Sequence, residues 1–409
     1  MKSWQLQPLG TLCEFVRGPF GGSLKKSIFK PSGIAVYEQQ HAIYDQFTEI
    51  RYFVDKNKYE EMRRFELLPG DLIMSCSGTM GKVAIVPEGI KQGIINQALL
   101  KLTPTENISV EFLKYWMGSP GFQDELNRQS QGVAIKNVAS VKVLKEIQIP
   151  LPPLPEQKRI VAILDEVFAG IDAAVANTKK NLANARELFE SYLNAVFTRK
   201  GEGWVSGPIK QHIRFIDYRG KTPKKTESGL RLITAKNVKM GYLQEAPMEF
   251  VSPDCYDSWM TRGIPQQGDV LFTTEAPLAN VAQFDVAGKV VFAQRIITMQ
   301  PDRSKLDPVF LKYLLLSSPV QRRIREKGTG ATVQGIKASL LKLIEIEFPA
   351  SLLAQQQIVT KFDELLSETQ RLETIYQQKL AALAELKQSI LQKAFAGELT
   401  AKALEEVLA

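Results

Sequence analysis

Two stretches of the chain carry a helical seam. From Ile160 the apolar positions Ile160, Leu164, Val167, Ile171, Ala174, Ala185, Leu188, Tyr192 and Ala195 keep to steps of four and three. From Ile358 the same register returns as Ile358, Phe362, Leu365, Leu372, Tyr376, Leu383, Leu386 and Ile390. A heptad seam held over about five heptads predicts a long coiled-coil helix in each stretch. Thr178 and Asn181 interrupt the first seam, and Thr369 and Lys379 the second. Polar seam residues cost stability and fix register and partner number. Arg199-Lys200-Gly201 and Gly397 supply the stops.

A second stripe, Val161, Phe168, Val175, Leu182, Phe189 and Val196, widens the apolar face of the first helix. One helix partner does not cover a face that broad. It predicts either packing against the chain's own domains or a surface for another protein. Val161, Phe168, Val175, Leu182 and Phe189 are the candidate partner-binding positions. Just before this helix, Pro150-Leu-Pro-Pro-Leu-Pro155 reads as a polyproline ligand or as a stiff spacer that ends a strand and launches a helix. Its counterpart, Pro349-Ala-Ser-Leu-Leu-Ala354, loses most prolines but keeps the strand-to-helix change, which favours the spacer.

The remaining stretches have mixed patterning. Short β-rich runs such as Asp71-Leu-Ile-Met74, Lys82-Val-Ala-Ile-Val86 and Val290-Val-Phe-Ala293 stand between Gly, Pro and Ser turns. Each stretch also holds one amphipathic helix, capped at Ser109 in one and at Asp307-Pro308 in the other. These patterns recur in order. Trp4-x3-Pro8 returns as Trp204-x3-Pro208, and Pro69-Gly-Asp-Leu-Ile73 as Gln267-Gly-Asp-Val-Leu271. Phe112-Leu-Lys-Tyr115 returns as Phe310-Leu-Lys-Tyr313, Ser119-Pro120 as Ser318-Pro319, and Ile149-Pro150 as Phe348-Pro349. Ile160-Val161 before Asp165-Glu166 returns as Ile358-Val359 before Asp363-Glu364. Collinear matches at an offset near 200 mean two copies of one unit. The expected fold is α+β: two pseudo-symmetric α/β domains at 1–150 and 201–348, each followed by a long helix, at 151–200 and 349–409.

Composition narrows the chemistry. The 409 residues are 44% hydrophobic and 23% charged, enough for real cores and against disorder as the main theme. No run approaches 18 apolar residues, and Met1 to Pro8 has no apolar signal core, so a soluble, non-secreted protein is expected. Cys13, Cys76 and Cys255 are isolated, and only His41 and His212 are present, which argues against zinc, disulfides and a histidine base. Fifty-two Lys and Arg against 44 Asp and Glu leave +8, compatible with a polyanion partner.

No catalytic constellation emerges. Ser75-Cys-Ser-Gly-Thr-Met-Gly-Lys82-Val83 resembles a phosphate loop, but Cys76 and Val83 stand where a Walker A loop needs glycine and Ser or Thr. It predicts a tight loop with Ser77, Thr79 and Lys82 exposed. Asp165-Glu166 and Asp363-Glu364 read as solvated helix faces. Gly18-Pro-Phe-Gly-Gly22 lacks the strand and helix of a nucleotide site, and neither Asn-Pro-Pro-Tyr nor a related methyltransferase tetrapeptide occurs.

Cationic loops recur at matched places. Arg17, Lys25 and Lys26 in copy one correspond to Arg219, Lys221, Lys224 and Lys225 in copy two. After the domain helix come Arg128 in one copy and Arg322, Arg323 and Arg325 in the other. With Lys236, Ser77, Thr79 and Lys82 these are the candidate DNA contacts, since Lys and Arg neutralise phosphates and Arg pairs with base edges. The bland alternative is a set of soluble turns. A helix of about 40 residues spans roughly 60 Å, enough to hold two readers on separate segments of a duplex.

At this point the chain resembles the specificity (S) subunit of type I restriction-modification enzymes. The resemblance rests on Gly70-Asp-Leu-Ile73 with Ser77-Gly-Thr-Met-Gly-Lys82, and on Ile149-Pro-Leu-Pro-Pro-Leu-Pro-Glu-Gln157 leading into Ile160-Val161. It rests also on Lys393-Ala-Phe-Ala-Gly-Glu-Leu399 and on the two-copy layout. It implies two target recognition domains on double-stranded DNA and an antiparallel coiled coil acting as a ruler. It implies no activity in this chain alone. Two modification (M) subunits would carry S-adenosylmethionine and grip the helices; restriction (R) subunits, using ATP and magnesium, would join through M in a bacterial or archaeal cytoplasm. No cofactor or membrane is implied for this chain itself.

Two departures from even repetition stand out. Ala354-Gln-Gln-Gln357 replaces Pro155-Glu-Gln-Lys158, so the two M-binding junctions need not match. Thr273-Thr-Glu-Ala-Pro-Leu-Ala-Asn280, with neither glycine nor lysine, replaces the loop at 75–82. Different loops predict an asymmetric DNA target. A protein-interaction scaffold is the competing reading, with the same repeat but no need for matched cationic loops.

Overall fold

A computed structural model describes residues 4–20, 22–128, 138, 140–218, 223–330 and 332–399. The chain divides into two compact units, 1–178 with 378–409, and 179–377. This division cuts across the repeat. Each unit takes one globular domain, the first part of the helix that follows it, and the last part of the other repeat's helix.

The first unit contains β1 (Gln5–Pro8), β2 (Cys13–Arg17), β3 (Ile34–Tyr37), β4 (Tyr52–Val54), β5 (Leu72–Ser75), β6 (Val83–Ile85), β7 (Gly93–Ile95), β8 (Leu99–Pro104) and β9 (Gln148–Leu151). Its central sheet has the order β2-β8-β5-β6, antiparallel throughout, with Leu72 opposite Leu102 and Ile73 opposite Ala84. All four residues of β5 are buried because both faces are covered. Leu72 and Met74 join the core beneath the helices, whereas Ile73 joins a second core shared with Ala35 and Tyr37. This is why the strand reads as a continuous apolar run without alternation. The outer core lies under a smaller sheet, β4-β3-β7, in which β3 and β7 run parallel.

The second unit repeats the plan with β10 (Trp204–Pro208), β11 (Ile213–Asp217), β12 (Lys225–Thr226), β13 (Leu230–Ile233), β14 (Glu249–Val251), β15 (Val270–Thr273), β16 (Val281–Gln283), β17 (Val290–Phe292), β18 (Ile296–Pro301) and β19 (Glu345–Pro349). Order β11-β18-β15-β16 matches the first unit, and the outer sheet is β12-β14-β13-β17, again with one parallel pair. In both units a two-stranded ribbon, β1-β9 or β10-β19, leads into the long helix. The domain helices begin where their caps predict. Ser109 accepts from the Phe112 amide before Val110–Gly118, and Asp307 accepts from Val309 and Phe310 before Pro308–Leu316.

The long helices run Leu154–Arg199 and Leu352–Phe395. They pair antiparallel. In the first unit Arg159 donates to the Leu399 carbonyl at 3.4 Å and Asp172 pairs with Lys387 at 3.1 Å. In the second, Arg186 pairs with Glu373 at 2.7 Å and Tyr192 meets Phe362 at 5.8 Å between ring centres. Ile160, Leu164, Val167 and Ile171 are buried as the seam predicts. Further along the seam departs from expectation. Leu188 and Tyr192 are exposed, while Leu193 and Phe197 enter the second unit's core with Phe189 and Val196 against it. The reason is tertiary, since the second domain covers that face. Thr178 is buried with its hydroxyl donating to the Ala174 carbonyl at 2.7 Å, and Thr369 is buried too, but Asn181 and Lys379 are exposed and lie off the seam.

The wide stripe is covered from within. Phe168 lies in the first unit's core, edge-on to Tyr115 at 5.6 Å with the Lys387 ammonium 4.7 Å above its ring, and Val161 and Val175 pack against that core. Phe189 packs against Tyr313 at 6.3 Å, and Leu182 is half-buried. Of the two readings of this stripe, packing against the chain's own domains accounts for contacts of Val161, Phe168, Val175 and Phe189, because a broad apolar face takes a domain as well as a helix to cover it.

Ala394, fully buried on the second long helix, belongs to the first unit's core. Ala394→Asp is expected to destabilise that unit by at least about 3 kcal/mol, the scale for an unpaired buried charge. Hydrogen exchange should show lost protection in β5 and β8 and retained protection in β15 and β18. His212, edge-on to Phe348 at 4.9 Å, has its pKa held below 6.5 chiefly by burial, with the Lys305 charge adding to the effect. The folded state thus favours neutral imidazole, and this contribution is present above pH 6.5 and lost as pH falls through the lower folded value. Denaturation of the wild type should show a stability loss on acidification that His212→Gln reduces.

Candidate nucleic-acid interface

The repeated motifs build the scaffold of the site. Gly70 and Gly268 adopt φ of +84° and +89°, turning the chain so that the following aspartate points inward. Asp71 accepts from the Leu68 amide at 2.9 Å and from the Thr103 hydroxyl, with Lys101 3.6 Å away. Asp269 accepts from the Gln266 amide at 2.7 Å, Gln300 at 2.7 Å and Arg303 at 3.1 Å. A buried carboxylate is tolerated only when so many donors satisfy it.

The loops that differ in sequence share one backbone. Gly81 donates to the Ser75 carbonyl at 2.9 Å, and Ala279 to the Thr273 carbonyl at 2.9 Å. The next amide, of Lys82 or Asn280, meets the Ser75 or Thr273 hydroxyl at 3.0 or 2.9 Å. Positive φ falls at Gly78 and Gly81 in one copy and at Ala276 and Ala279 in the other. Copy two places alanines at both left-handed positions, and the loops differ in their side chains and in the cis Ala276–Pro277 peptide of copy two. Gln123 and Gln321 hold these loops from the helices that follow the domain helices, Pro120–Arg128 and Ser318–Glu326, donating to the carbonyls of Gly81 at 2.9 Å and Ala279 at 3.0 Å.

Sequence reading missed these glutamines, and also Gln157 and Gln355. Both of the latter are fully buried, accept from the Ser109 and Asp307 amides at 2.8 Å, and donate to two carbonyls each. Their signal was the repeat spacing itself. It also shows that Gln355 is the counterpart of Gln157, so pairing Ala354–Gln357 with Pro155–Lys158 slips by one residue. Asp165 and Asp363 are not merely solvated: each accepts from a tyrosine hydroxyl, of Tyr115 or Tyr313. Burial first, then that carboxylate, pushes both phenols well above their ordinary range.

The cationic candidates divide. Lys25 and Lys26 are exposed beside Phe20, itself 93% exposed, and Arg17 is half-buried at the end of β2. Ser77 is half-buried, its amide donating to Gln39 at 3.2 Å, and Thr79 is exposed. Lys82 lines a cleft of about 670 Å³ of mixed charge, with Asp45, Glu111, Lys114, Asp165, Asp172 and Lys387. Arg322 and Arg325 are exposed and line a groove of about 420 Å³ with Met240. Lys224 and Lys236 are exposed. Three others are engaged within the protein. Arg128 pairs with Glu125, Lys225 with Glu249 at 2.8 Å, and Arg323 donates to the Glu345 carbonyl at 2.7 Å beside Glu347. Arg219 and Lys221 lie outside the described residues.

Burial pushes the Cys76 thiol up to about 12, which makes it an inert core residue. Among the described residues no group of three His, Cys, Asp or Glu is placed to hold a metal ion, and no helix is long and apolar enough to cross a membrane.

Two similar domains on paired helices, each with cationic loops on a shared scaffold, match a known family model. The type I restriction modification DNA specificity domain matches residues 1–184 and 261–381. The chain belongs to the type I restriction-modification specificity family. It is 24% identical to the EcoKI specificity subunit of Escherichia coli K12, over 98% of this chain and 90% of that one. It is also 24% identical to the putative MjaX specificity subunit of Methanocaldococcus jannaschii, over 76% and 74%. A chain solved in work on complex assembly and conformational transition of the type I R-M system shares the fold, with TM-score 0.75, 19% identity and 98% and 99% coverage. The HsdS subunit from Thermoanaerobacter tengcongensis matches with TM-score 0.60, 20% identity and 97% and 98% coverage.

In this family member the loop clamps are expected to matter for stability. Gln123→Ala and Gln321→Ala should each cost about 1–3 kcal/mol by leaving buried carbonyls unpaired. Chemical denaturation read separately on each unit by hydrogen exchange checks this.

Proposed function

We propose that this chain is the non-catalytic specificity subunit of a type I restriction-modification complex, and that each globular domain reads one half of a split, asymmetric DNA target. The observation that carries this reading is the pairing of one scaffold with two different surfaces. Strand order and buried hydrogen bonds agree between the domains, while the side chains on their loops do not. Two readers of the same architecture and different chemistry suit a bipartite, non-palindromic site. Exposed Lys25, Lys26, Lys224, Lys236, Arg322 and Arg325 supply the sequence-independent attraction to phosphates.

The paired helices set the spacer and receive two modification subunits, with restriction subunits joining through them. S-adenosylmethionine, ATP and magnesium belong to those partners, and their methylation and cleavage chemistry is not this chain's own. The complex works on DNA in the cytoplasm. The helix faces left for the partners are narrower than the stripe suggested, because the domains already cover much of it.

Methylome sequencing of a methylation-free host expressing the chain with its modification subunit tests the reading. A split, asymmetric motif with methylated adenine in both halves is expected. Soluble, associated proteins that leave no new methylation would favour the interaction scaffold. Lys25→Ala with Lys26→Ala should weaken binding to all sequences alike and flatten the dependence of log affinity on log salt by about one unit per lost contact.

A further inference from the structure

The two domains share the strand order of the central sheet but part company in the outer sheet, where β12 has no counterpart strand among the described residues and one connection is built differently. Residues 38–51 join β3 to β4, and residues 234–248 join β13 to β14. The first connection is a short helix, Gln39–Tyr44, pinned by a fully buried His41 whose ring meets the Glu38 amide at 2.8 Å and the Glu49 carbonyl at 3.1 Å. The second has no helix. A buried Asn237 pins it, accepting from the Thr234 amide at 3.0 Å and donating to the carbonyls of Gln244, Glu245 and Pro247 at 3.0–3.2 Å.

The tip of this second connection is a tight turn. Lys239 donates to the Tyr242 carbonyl at 3.0 Å across Gly241, whose φ is +95°. It is fastened to the central sheet, with Gly241 donating to the Val281 carbonyl at 2.8 Å and Asn280 to the Val238 carbonyl at 2.9 Å. A loop this well held presents its outward side chains in fixed places. At the tip these are Met240 and Tyr242, 45% and 59% exposed, and at the end of the connection Met248 is 60% exposed. Large exposed apolar groups clustered on a rigid support mark an interaction surface.

Charge selects the occupant. Residues 218–250 hold seven Lys and Arg against three Glu, a net +4 that is half the chain's +8. The matching stretch, 18–53, holds four against three. Arg322 and Arg325, with Glu190 and Glu326, border the same groove as Met240. Apolar tips flanked by cations suit a duplex, where thymine methyls and base steps accept apolar side chains and phosphates accept lysine.

We infer that the pinned connection at 234–248 is the element with which the second domain reads its half-site. Tyr242, Met240 and Met248 make apolar contact with the bases, and Lys236 and Lys239 meet the flanking phosphates. Asn237 is a positioning residue that holds the tip in its reading geometry. The inference rests on the specificity-subunit reading and names the segment that delivers it.

The test uses the complex with its modification subunit, comparing the wild type with Tyr242→Ala/Met248→Ala and with Asn237→Ala. Methylome sequencing should show the first half of the motif unchanged and the second half relaxed at one or more positions. Affinity for the cognate duplex should fall about ten-fold or more, the scale of losing a base contact. Non-cognate binding and co-purification with the modification subunit should stay as in the wild type. An unchanged motif and affinity in the Tyr242→Ala/Met248→Ala variant would overturn the inference while leaving the broader function intact. Lost co-purification with an intact motif would overturn it too, assigning the tip to a protein contact. A wild-type complex that methylates no split motif would instead remove the reading on which the inference rests.

Discussion

Each globular domain depends on a helix segment from the far end of the other repeat. In the first unit Phe395 packs edge-on to Phe112 at 5.2 Å, and Ile390, Leu391 and Ala394 fill the same core. In the second, Phe197 meets Phe310 at 5.5 Å and Phe362 at 5.9 Å. Burying one such aromatic contributes about 2–3 kcal/mol, so a domain without its borrowed helix would lack several of these contributions. Helix pairing and domain folding are thereby one process. An isolated repeat, domain plus its own helix, is not a complete structural unit.

That arrangement explains which polar residues recur. Gln157 and Gln355, Gln123 and Gln321, and the tyrosine–aspartate pairs all stitch sheet, domain helix and long helix together inside one unit. Buried polar groups need specific partners, and the partners sit at specific places, so these positions tolerate little change. The outer sheet carries fewer such obligations. Its connections are pinned by different residues, His41 in one domain and Asn237 in the other, and diverge in shape and charge. On the proposed reading of two different half-sites, this is where one fold has its freedom.

Recurrence in sequence thus carried two meanings that the chain alone does not separate. The matched cationic residues were read as DNA contacts because they recur, but Arg323 recurs in position to hold β19 and Lys225 to pair across its own sheet. Conversely, the exposure of Met240, Tyr242 and Met248 carries no mark in the sequence. Cations at a surface turn look alike in a sequence whether they face phosphate or a neighbouring carboxylate. Only the position of that carboxylate, supplied by a distant segment, tells them apart.

Local periodicity determined much of this protein. The heptad steps, the caps at Ser109 and Asp307, and the Gly-Asp turns follow from interactions within a few residues, and the offset near 200 revealed the duplication. Tertiary structure decided what covers each surface. Phe168 and Phe189 were visible as apolar from the start, but whether a partner or the chain's own domain buries them depends on residues far away in sequence. The turn at 273–280 makes the same point, because backbone bonds to Thr273 give two alanines the left-handed conformation that glycine takes in the other copy. Side-chain type specifies which surfaces seek burial; only the folded chain specifies the partner, because burial is a property of the whole packing.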